Sequence, residues 1–357
     1  MVNIYIKSYG CQANISDSEA MAGILAKSGH FIVNNENEAD LILVNTCSVK
    51  NKTVSKELHY IKKHLVNKEV IVGGCLTKTI NLRKLIPEVE AVFDTNSILQ
   101  IKEILETKKD TFSINKDIQR INVPVIRKNK QTAVIPISQG CLNKCTFCAT
   151  KLSRGNLISY RIGDIKRVLE KAVLDNCKII YLTSQDNGCY GFDINTSLPE
   201  LLKELVLVKG NYKIRIGMSN PWHVIKILDN LIESYRSDKI MKFLHIPLQT
   251  GSDKVLKDMK RIHSVQDFRL ILTKFRNKFS DITISTDIIV GYPTETDTDF
   301  QKTIDVIQEF QPEVLNISKY SPMPRTFAGN LKQIPSEEIK RRSKILTDVY
   351  NEYKKRN

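Results

Sequence analysis

Short apolar runs alternate with stretches of helical spacing over the first 106 residues. Apolar and polar side chains alternate through residues 2–9, which predicts a first strand. Apolar runs at residues 41–45 and 69–74 predict two buried strands, and Val92 is expected in a fourth. Three helices are predicted. The first begins at a capping box formed by Ser16 and Glu19 and ends at Lys27, before Gly29; the others span residues 49–65 and 98–105. This order predicts an α/β domain built on a parallel, flavodoxin-like sheet with helices on both faces.

The same alternation resumes at Ala133 and continues through most of the remaining chain. Helical stretches separate apolar runs that are predicted as strands, at residues 133–138, 178–183, 213–218, 243–248, 282–291 and 314–320. The pattern predicts a partial (β/α)6 barrel. In such barrels the loops that follow the strands build the active site.

Two segments flank this barrel region. Residues 107–130 are polar and basic with weak periodicity, which predicts a linker whose Lys and Arg side chains are either solvated or in contact with phosphates. Residues 335–357 predict a basic amphipathic helix that has five apolar or aromatic residues on one face: Ile339, Leu346, Val349, Tyr350 and Tyr353. The predicted organisation is a domain over residues 1–106, a linker over residues 107–130, a second domain over residues 131–334 and the helix at residues 335–357.

Length and charge narrow the class of protein. A chain of 357 residues is too long for one typical core, so two domains are expected. The formal net charge of +15 favours a polyanionic partner such as nucleic acid over a generally lysine-rich composition. Because no apolar run has the length of a membrane span and the N-terminus lacks a signal-peptide pattern, a cytoplasmic protein is expected.

Three cysteines follow the first strand of the barrel region within the segment QGCLNKCTFCAT. Cys141, Cys145 and Cys148 have the spacing CxxxCxxC, and neither a fourth cysteine nor a histidine lies nearby in the sequence. A structural zinc site requires four closed ligands, whereas thiolates hold iron–sulfur clusters. Three thiolates leave one iron open for chemistry. The triplet therefore predicts a reactive cluster, with a zinc knuckle that borrows a distant ligand as the alternative.

A second cysteine triplet is spread over the N-terminal domain. Cys11, Cys47 and Cys75 each follow one of the first three predicted strands. The carboxyl ends of parallel strands meet at one edge of a sheet, so these thiols are expected to converge on a second cluster that also has an open iron. Cys177 and Cys189 fit neither triplet and are predicted to be unligated packing residues.

Both triplets, in this order, resemble those of the radical S-adenosylmethionine (SAM) methylthiotransferase family, and the resemblance covers nearly the whole chain. YGCQANISDSE, VNTCSV and GGC resemble that family's auxiliary-cluster domain. GCLNKCTFC, LTSQDNGCYG, LHIPLQTGSDKVLKDMKR and TDIIVGYPTET resemble its radical SAM core. RIGMSNP and YSPMPRTFAGNLKQIP resemble the archaeal and eukaryotic branch, which acts on N6-threonylcarbamoyladenosine beside the tRNA anticodon.

The resemblance implies two [4Fe–4S] clusters and SAM as cofactors. Cys141, Cys145 and Cys148 would hold the catalytic cluster that cleaves SAM, and Cys11, Cys47 and Cys75 would hold the auxiliary cluster that carries sulfur. The implied SAM-site residues are Gln185, Asp186, Gln249, Ser252, Arg261, Asp287 and Gly291.

In this family one SAM methylates a sulfur on the auxiliary cluster. A second SAM yields a radical that removes hydrogen from adenine C2, and the methylthio group is placed on that carbon. An external electron donor, a sulfur source and the anticodon loop of tRNA are therefore the expected partners. Unstacked anticodon bases reach such a site at low energetic cost.

Several alternatives to this interpretation stay open. The family usually carries a C-terminal RNA-binding β-barrel called TRAM, whereas here only a helix is predicted after Pro335. The expected alternative substrates are isopentenyladenosine in tRNA and an aspartate of a ribosomal protein. A different class of protein, a non-catalytic zinc-dependent RNA-binding module, would use the same cysteines.

Overall fold

The computed structural model describes residues 1–49, 51–113 and 120–356. The strands are β1 Asn3–Ser8, β2 Phe31–Val33, β3 Leu41–Thr46, β4 Glu69–Gly74, β5 Ala91–Val92, β6 Thr132–Pro136, β7 Ser138–Gln139, β8 Ile158–Ser159, β9 Ile179–Thr183, β10 Lys213–Ile216, β11 Phe243–His245, β12 Thr283–Val290 and β13 Val314–Lys319. The α-helices are α1 Gln12–Lys27, α2 Asn51–His64, α3 Leu82–Leu85, α4 Ile101–Thr107, α5 Thr150–Arg154, α6 Ile162–Leu174, α7 Leu198–Val206, α8 Pro221–Val224, α9 Leu228–Ser234, α10 Asp253–Asp258, α11 Val265–Lys278, α12 Asp297–Phe310 and α13 Ser336–Arg356.

The chain forms two compact units and passes between them more than once. The first unit comprises Met1–Cys141, Cys148–Gln185 and Met323–Arg325, and the second comprises Leu142–Phe147, Asp186–Pro322 and the chain from Thr326 onward. The domain boundaries predicted at residues 106, 130 and 334 stay a prediction.

A parallel sheet forms the centre of the first unit. Its strand order, β2-β1-β3-β4-β5, is that of flavodoxin-like folds, which confirms the predicted sheet. All six residues of β3 are buried because both faces of the sheet are covered. Leu41 and Leu43 pack on the face that carries α1 and α4, whereas Ile42 and Val44 pack on the face that carries α2.

Two details of this domain differ from the sequence prediction. Strand β2 was not predicted, because a run of only three residues gives no clear periodicity. The capping box was wrong: α1 begins at Gln12 with Cys11 before it, so Ser16 and Glu19 lie inside the helix. Gly10, at φ +95°, makes the turn that allows the helix to begin directly after the loop.

The predicted linker is packed against α1 over the part that the structure describes. The Ile126 amide donates a hydrogen bond to the Glu19 carbonyl oxygen at 3.0 Å. The chain at Pro124 runs so close to Gly23 that a Cβ on that glycine would lie 2.2 Å from the Pro124 carbonyl oxygen. The backbone of this stretch is therefore packed on α1, whereas residues 114–119 lie outside the described residues, and phosphate contact by the linker's Lys and Arg stays a prediction.

The order of strands and helices predicted for the barrel region is confirmed. In the first unit β6 and β9 are parallel neighbours, and in the second unit β11, β12 and β13 form a parallel sheet in that order. The short helices α5 and α10 were not predicted, and the helical stretch between β10 and β11 is divided into α8 and α9 by a 3-10 turn.

The C-terminal helix α13 was predicted correctly and packs against β13 and α12. Ile339, Leu346 and Tyr353 are buried, as the pattern predicted, whereas Val349 and Tyr350 on the same predicted face are half-buried. Arg342 is buried as well and forms an ion pair with the buried Glu295 at 2.8 Å, so it does not belong to a solvated basic face. None of the described helices is both long and apolar enough to span a membrane.

Candidate metal centres

The N-terminal cysteines lie where the topology predicted them. Cys11 follows β1 and precedes α1, Cys47 comes directly after β3, and Cys75 comes directly after β4. The Cys75 amide donates to the Thr46 carbonyl oxygen at 3.0 Å, which ties the end of β4 to the end of β3. The Cys47 thiol is close enough to Cys11 and Cys75 for charge on either of them to raise its pKa. The structure therefore places the three thiols near one another at one edge of the sheet, and their role as cluster ligands stays a prediction.

Gly10 and Asn14 shape the loop that presents these thiols. A Cβ on Gly10 would lie 2.8 Å from the Cys47 sulfur, so only glycine lets the backbone pass there. The Asn14 side-chain amide donates to the carbonyl oxygens of Tyr9 and Thr46, both at 2.8 Å. Asn14 thereby fixes the loop after β1 to the end of β3.

Burial makes the thiols of Cys47 and Cys75 poor thiolates on their own. Desolvation, together with Cys75 and Cys11, raises the pKa of Cys47 to about 12. Burial also raises the pKa of Cys75, although the charge and hydrogen bond of Arg154 act against that shift. Such thiols ionise when a metal supplies the compensating positive charge. Three convergent thiols at strand ends, of which Cys47 and Cys75 are buried and Cys11 is exposed, fit an iron–sulfur cluster.

Glu57 is a further buried group at this site. Its carboxylate accepts a hydrogen bond from the Cys47 amide at 2.8 Å. Burial raises the pKa of Glu57 to about 8, so the carboxyl group is mostly protonated at neutral pH. It therefore holds the backbone of Cys47 in place without adding a full negative charge beside the thiols.

Cys141, Cys145 and Cys148 lie in an irregular loop after β7, and all three are partly exposed. Cys141 and Cys148 belong to the first unit and Cys145 to the second. Gly140, at φ +73°, starts this loop, and a Cβ there would lie 1.8 Å from the Asn156 carbonyl oxygen. The Cys141 amide donates to the Gly155 carbonyl oxygen at 3.3 Å, and the Lys151 ammonium group donates to the Cys141 carbonyl oxygen.

Within the second unit, the middle of this loop is held on both sides. The Thr146 amide donates to the Met259 carbonyl oxygen at 3.1 Å, and the Ala328 amide donates to the Thr146 carbonyl oxygen at 3.0 Å. One guanidinium nitrogen of Arg261 lies 3.7 Å from the Cys145 sulfur. A cation at this distance stabilises the thiolate form of Cys145, which is the form that binds metals.

Gln185 and Asp186, predicted to line the SAM site, both bond to the cysteine loop. The Gln185 side-chain oxygen accepts from the Gly140 amide at 2.6 Å. The buried Asp186 carboxylate accepts from the Asn143 side chain at 3.1 Å and from His223 Nδ1 at 2.7 Å, and it also accepts from two backbone amides. Its oxygens are therefore already engaged, which favours support of the loop over direct contact with a ligand.

Gln249 and Asp287 lie side by side at the carboxyl end of the second unit's sheet. The Gln249 amide donates to the Asp287 carbonyl oxygen at 2.8 Å, and Gln249 adopts φ +73°. His245 Nε2 lies 2.8 Å from the Asp287 carboxylate, which also accepts from Asn316 at 2.9 Å. His245 was not predicted from the sequence, because its contact with Asp287 depends on the pairing of β11 with β12.

Ser252 and Gly291 have contacts that favour structural roles. The buried Ser252 hydroxyl donates to the Asp299 carboxylate at 2.7 Å. Gly291 has φ +81°, and a Cβ there would lie 2.5 Å from a side-chain carbon of Ile339 on α13. Both residues thus face helices that cover the sheet, and neither is placed beside Asp287 by these contacts.

Cys177 and Cys189 are buried, as predicted for packing residues. The Cys189 sulfur lies 3.3 Å from the Asp186 carbonyl oxygen. Cys189, Asp186 and His223 also have possible metal-ligand atoms within 4.8 Å of one another. Because the Asp186 carboxylate accepts hydrogen bonds from surrounding protein groups, this cluster is explained by hydrogen bonding.

Two family models match the sequence, and solved structures share its fold. The model described as Uncharacterized protein family UPF0004 matches residues 3–94, and that of the Radical SAM superfamily matches residues 135–307. The radical S-adenosylmethionine methyltransferase TsrM from Kitasatospora setae superposes with a TM-score of 0.66 at 12% identity, covering 92% of this chain and 77% of that one. The cobalamin-dependent S-adenosylmethionine radical enzyme OxsB gives 0.64 at 11% identity, covering 99% and 56%. These likenesses show the fold of radical SAM enzymes.

Curated relatives are much more similar to this chain in sequence than these solved structures are. A Pyrococcus horikoshii protein named "Probable threonylcarbamoyladenosine tRNA methylthiotransferase" is 39% identical over 354 residues, which is 97% of this chain and 83% of that protein. The Mus musculus "Threonylcarbamoyladenosine tRNA methylthiotransferase" is 38% identical over 366 residues, covering 98% of this chain and 63% of that protein. With cysteine triplets at both sites and this similarity along its length, the chain belongs to the threonylcarbamoyladenosine tRNA methylthiotransferase family.

Proposed function

We propose that this protein places a methylthio group on C2 of N6-threonylcarbamoyladenosine at position 37 of tRNA, giving 2-methylthio-N6-threonylcarbamoyladenosine. The observation that carries the proposal is the convergence of Cys11, Cys47 and Cys75 at one sheet edge, in a chain that has a second cysteine triplet. One cluster is enough to generate a radical. A second site with an open iron fits the delivery of sulfur.

The two triplets have separate roles in this proposal. Cys141, Cys145 and Cys148 would hold the cluster that binds SAM, and Cys11, Cys47 and Cys75 would hold the auxiliary cluster. When bound, these cofactors supply a radical that can remove an aromatic hydrogen, together with the sulfur that replaces it. The protein's own groups hold the cysteine loop in place through Thr146 and Asp186.

The SAM site of the second unit is proposed around Arg261 and the pair formed by Asp287 and His245. Arg261 lies beside Cys145, and its Nε has no hydrogen-bond partner among the described residues. Asp287 on β12 and His245 at the end of β11 are both partly exposed, which leaves space for a ligand to contact them. Gln249 is placed next to them by its backbone bond to Asp287.

The partners follow from the chemistry and the charge. Reductive cleavage of SAM requires an electron donor, and each sulfur transferred must be replaced from a sulfur source. A net charge of +15 favours tRNA binding, whose affinity should fall steeply as salt rises; a flat salt dependence would count against electrostatic capture. We propose that the protein works in the cytoplasm, where tRNA is modified.

Nucleoside analysis tests the substrate. The protein should restore 2-methylthio-N6-threonylcarbamoyladenosine in the tRNA of a strain that lacks the modification. Methylthiolation of isopentenyladenosine, or of a ribosomal-protein aspartate, would assign another branch of the family.

Cysteine variants test the division of roles. Protein purified without oxygen should contain about eight irons per chain, as two cubane clusters require. Cys145→Ala should abolish SAM cleavage, whereas Cys47→Ala should retain cleavage and lose sulfur insertion. Cys177→Ala serves as the control and should retain both the iron and the activity. Zinc in place of iron would overturn the enzymatic proposal.

A further inference from the structure

The short helix α5 follows the cysteine loop, and its buried Arg154 lies beside the auxiliary cysteines. Arg154 lies six residues after Cys148, and only 3% of its side chain is exposed. Its guanidinium forms an ion pair with Asp17 at 2.6 Å and donates to the Asn14 side-chain oxygen at 2.7 Å. The same guanidinium is close enough to Cys75 to act on the thiol through its charge and a hydrogen bond.

A second buried arginine uses the same carboxylate. Arg120, with 5% of its side chain exposed, donates to Asp17 at 3.0 Å, and its other guanidinium nitrogen contacts the Asn96 side-chain oxygen at 3.4 Å. Asp17 is itself only 7% exposed. Within the described residues, neither arginine has an ion pair with any other acidic group. This cluster of three charged side chains therefore has more buried positive charge than Asp17 neutralises.

Burying charge without a counter-charge is costly, so the charges of the described residues favour an anion nearby. The groups beside Arg154 that can become anionic are the thiols of Cys75 and Cys11, whose charges act on Arg154 in turn. An oxidised cubane cluster with three thiolate ligands carries net negative charge, and reduction adds more. Net charge and hydrogen bonds to sulfur are among the factors that set the potential of such clusters.

We propose that Arg154 is a positioning residue that stabilises the negative charge of the auxiliary cluster and raises its reduction potential, an inference that rests on the proposed function. Helix α5 fixes it there, because the Ser153 hydroxyl donates to the Cys75 carbonyl oxygen at 2.6 Å and the Thr95 hydroxyl donates to the Ser153 carbonyl oxygen at 2.6 Å. Asp17 limits the effect by neutralising part of the charge.

The test measures the midpoint potential of the auxiliary cluster by redox titration with electron paramagnetic resonance. It uses the full-length chain in which Cys141, Cys145 and Cys148 are replaced by alanine, so that the auxiliary cluster gives the only signal. Arg154→Met keeps the length of the side chain and removes its charge. It should shift the reduction equilibrium at least tenfold toward the oxidised form, which corresponds to about 59 mV for one electron.

Two further variants separate charge from shape. Asp17→Asn leaves more positive charge and should shift the potential upward, opposite to Arg154→Met. Arg154→Lys keeps the charge and should shift it less than methionine does. Arg83→Met, which breaks an exposed ion pair with Asp110 in the same unit, is the matched control and should leave the potential unchanged.

The outcomes distinguish the possibilities. Two results would overturn the role of Arg154. One is an auxiliary-cluster potential that Arg154→Met leaves unchanged from the parent protein. The other is a shift of the same sign in Arg154→Met and Asp17→Asn. If the methionine variant does not fold, the lysine and asparagine variants decide, because both retain positive charge near Cys75. If the parent protein, which lacks the loop cysteines but retains Arg154, contained no iron, that result would refute the auxiliary cluster itself and with it the proposed function.

Discussion

Replacement of Gly10 by alanine is the sharpest test of how the auxiliary site is built. Gly10 has φ +95°, and a Cβ there would lie 2.8 Å from both the Cβ and the sulfur of Cys47. A left-handed backbone costs a residue with a Cβ about 1–2 kcal/mol. Carbon atoms normally approach to about 3.5–4.0 Å, so the new methyl group must displace Cys47 or the loop.

The neighbours of Cys47 resist that displacement. Cys47 directly follows a fully buried strand, and its amide is bonded to Glu57. Overpacking of such a site costs about 1–3 kcal/mol. We therefore expect Gly10→Ala to lower the free energy of unfolding by about 2–5 kcal/mol, the two costs together. The iron of the auxiliary site should be lost, because one of its ligands moves.

Gly29 provides a matched control in the same domain. Its φ is +89°, and nothing lies within 4 Å of a Cβ at that position. Gly29→Ala should therefore show only the backbone cost of about 1–2 kcal/mol and retain all of its iron. The measurements are urea denaturation, iron content and SAM cleavage, and Gly10→Ala should still cleave SAM. Equal destabilisation and equal iron content in the two variants would refute the close approach of Gly10 to Cys47.

Three further predictions concern stability and the cysteine loop. Arg342→Ala should destabilise the protein by about 3 kcal/mol in thermal or urea melts, because Glu295 is left buried without its partner, whereas Arg341→Ala on the exposed face should change the melting temperature little. Burial raises the pKa of Glu19 to about 7, so the folded state binds its proton more tightly than the unfolded state and stability is lost as pH rises from about 4.5 to 7. Glu19→Gln should therefore stabilise the protein by about 2–3 kcal/mol at pH 8 and by less at pH 5, and equal effects at both pH values would contradict this. Tyr292→Phe removes a hydroxyl 2.8 Å from the loop residue Thr146 and should slow SAM cleavage several-fold without loss of fold, as kinetics and circular dichroism would show.

The elements that the sequence predicted well are those with a strong local signal. Strand β3 is an unbroken apolar run, and the structure covers it on both faces. The predicted start of α1 was wrong, because Ser16 and Glu19 are residues typical of a capping box but lie after the residue at which the helix begins. The turn at Gly10 and the bonds of Asn14 fix the first turn of the helix, and these contacts reach from the helix to β3.

At the cysteine site, too, some features could be predicted from the sequence and others depend on contacts between distant residues. Convergence of Cys11, Cys47 and Cys75 could be predicted, because parallel topology alone brings strand ends together. The charged cluster around them could not. Arg120 reaches Asp17 across 103 positions of sequence, and Arg154 reaches Asn14 across 140. No spacing rule connects such positions, so their pairing depends on the fold.

Residues of the radical SAM motifs differ in what their side chains contact. Ser252 and Gly291 lie in segments that resemble the radical SAM core, yet the hydroxyl of Ser252 is bonded to Asp299 and Gly291 meets Ile339. Arg261, in contrast, points a cation at Cys145. Each triplet thus has one arginine beside one of its sulfurs, and the two differ in how their charge is balanced. Arg154 shares a buried carboxylate, whereas Arg261 forms no ion pair among the described residues, so no acidic side chain there neutralises the positive charge beside Cys145.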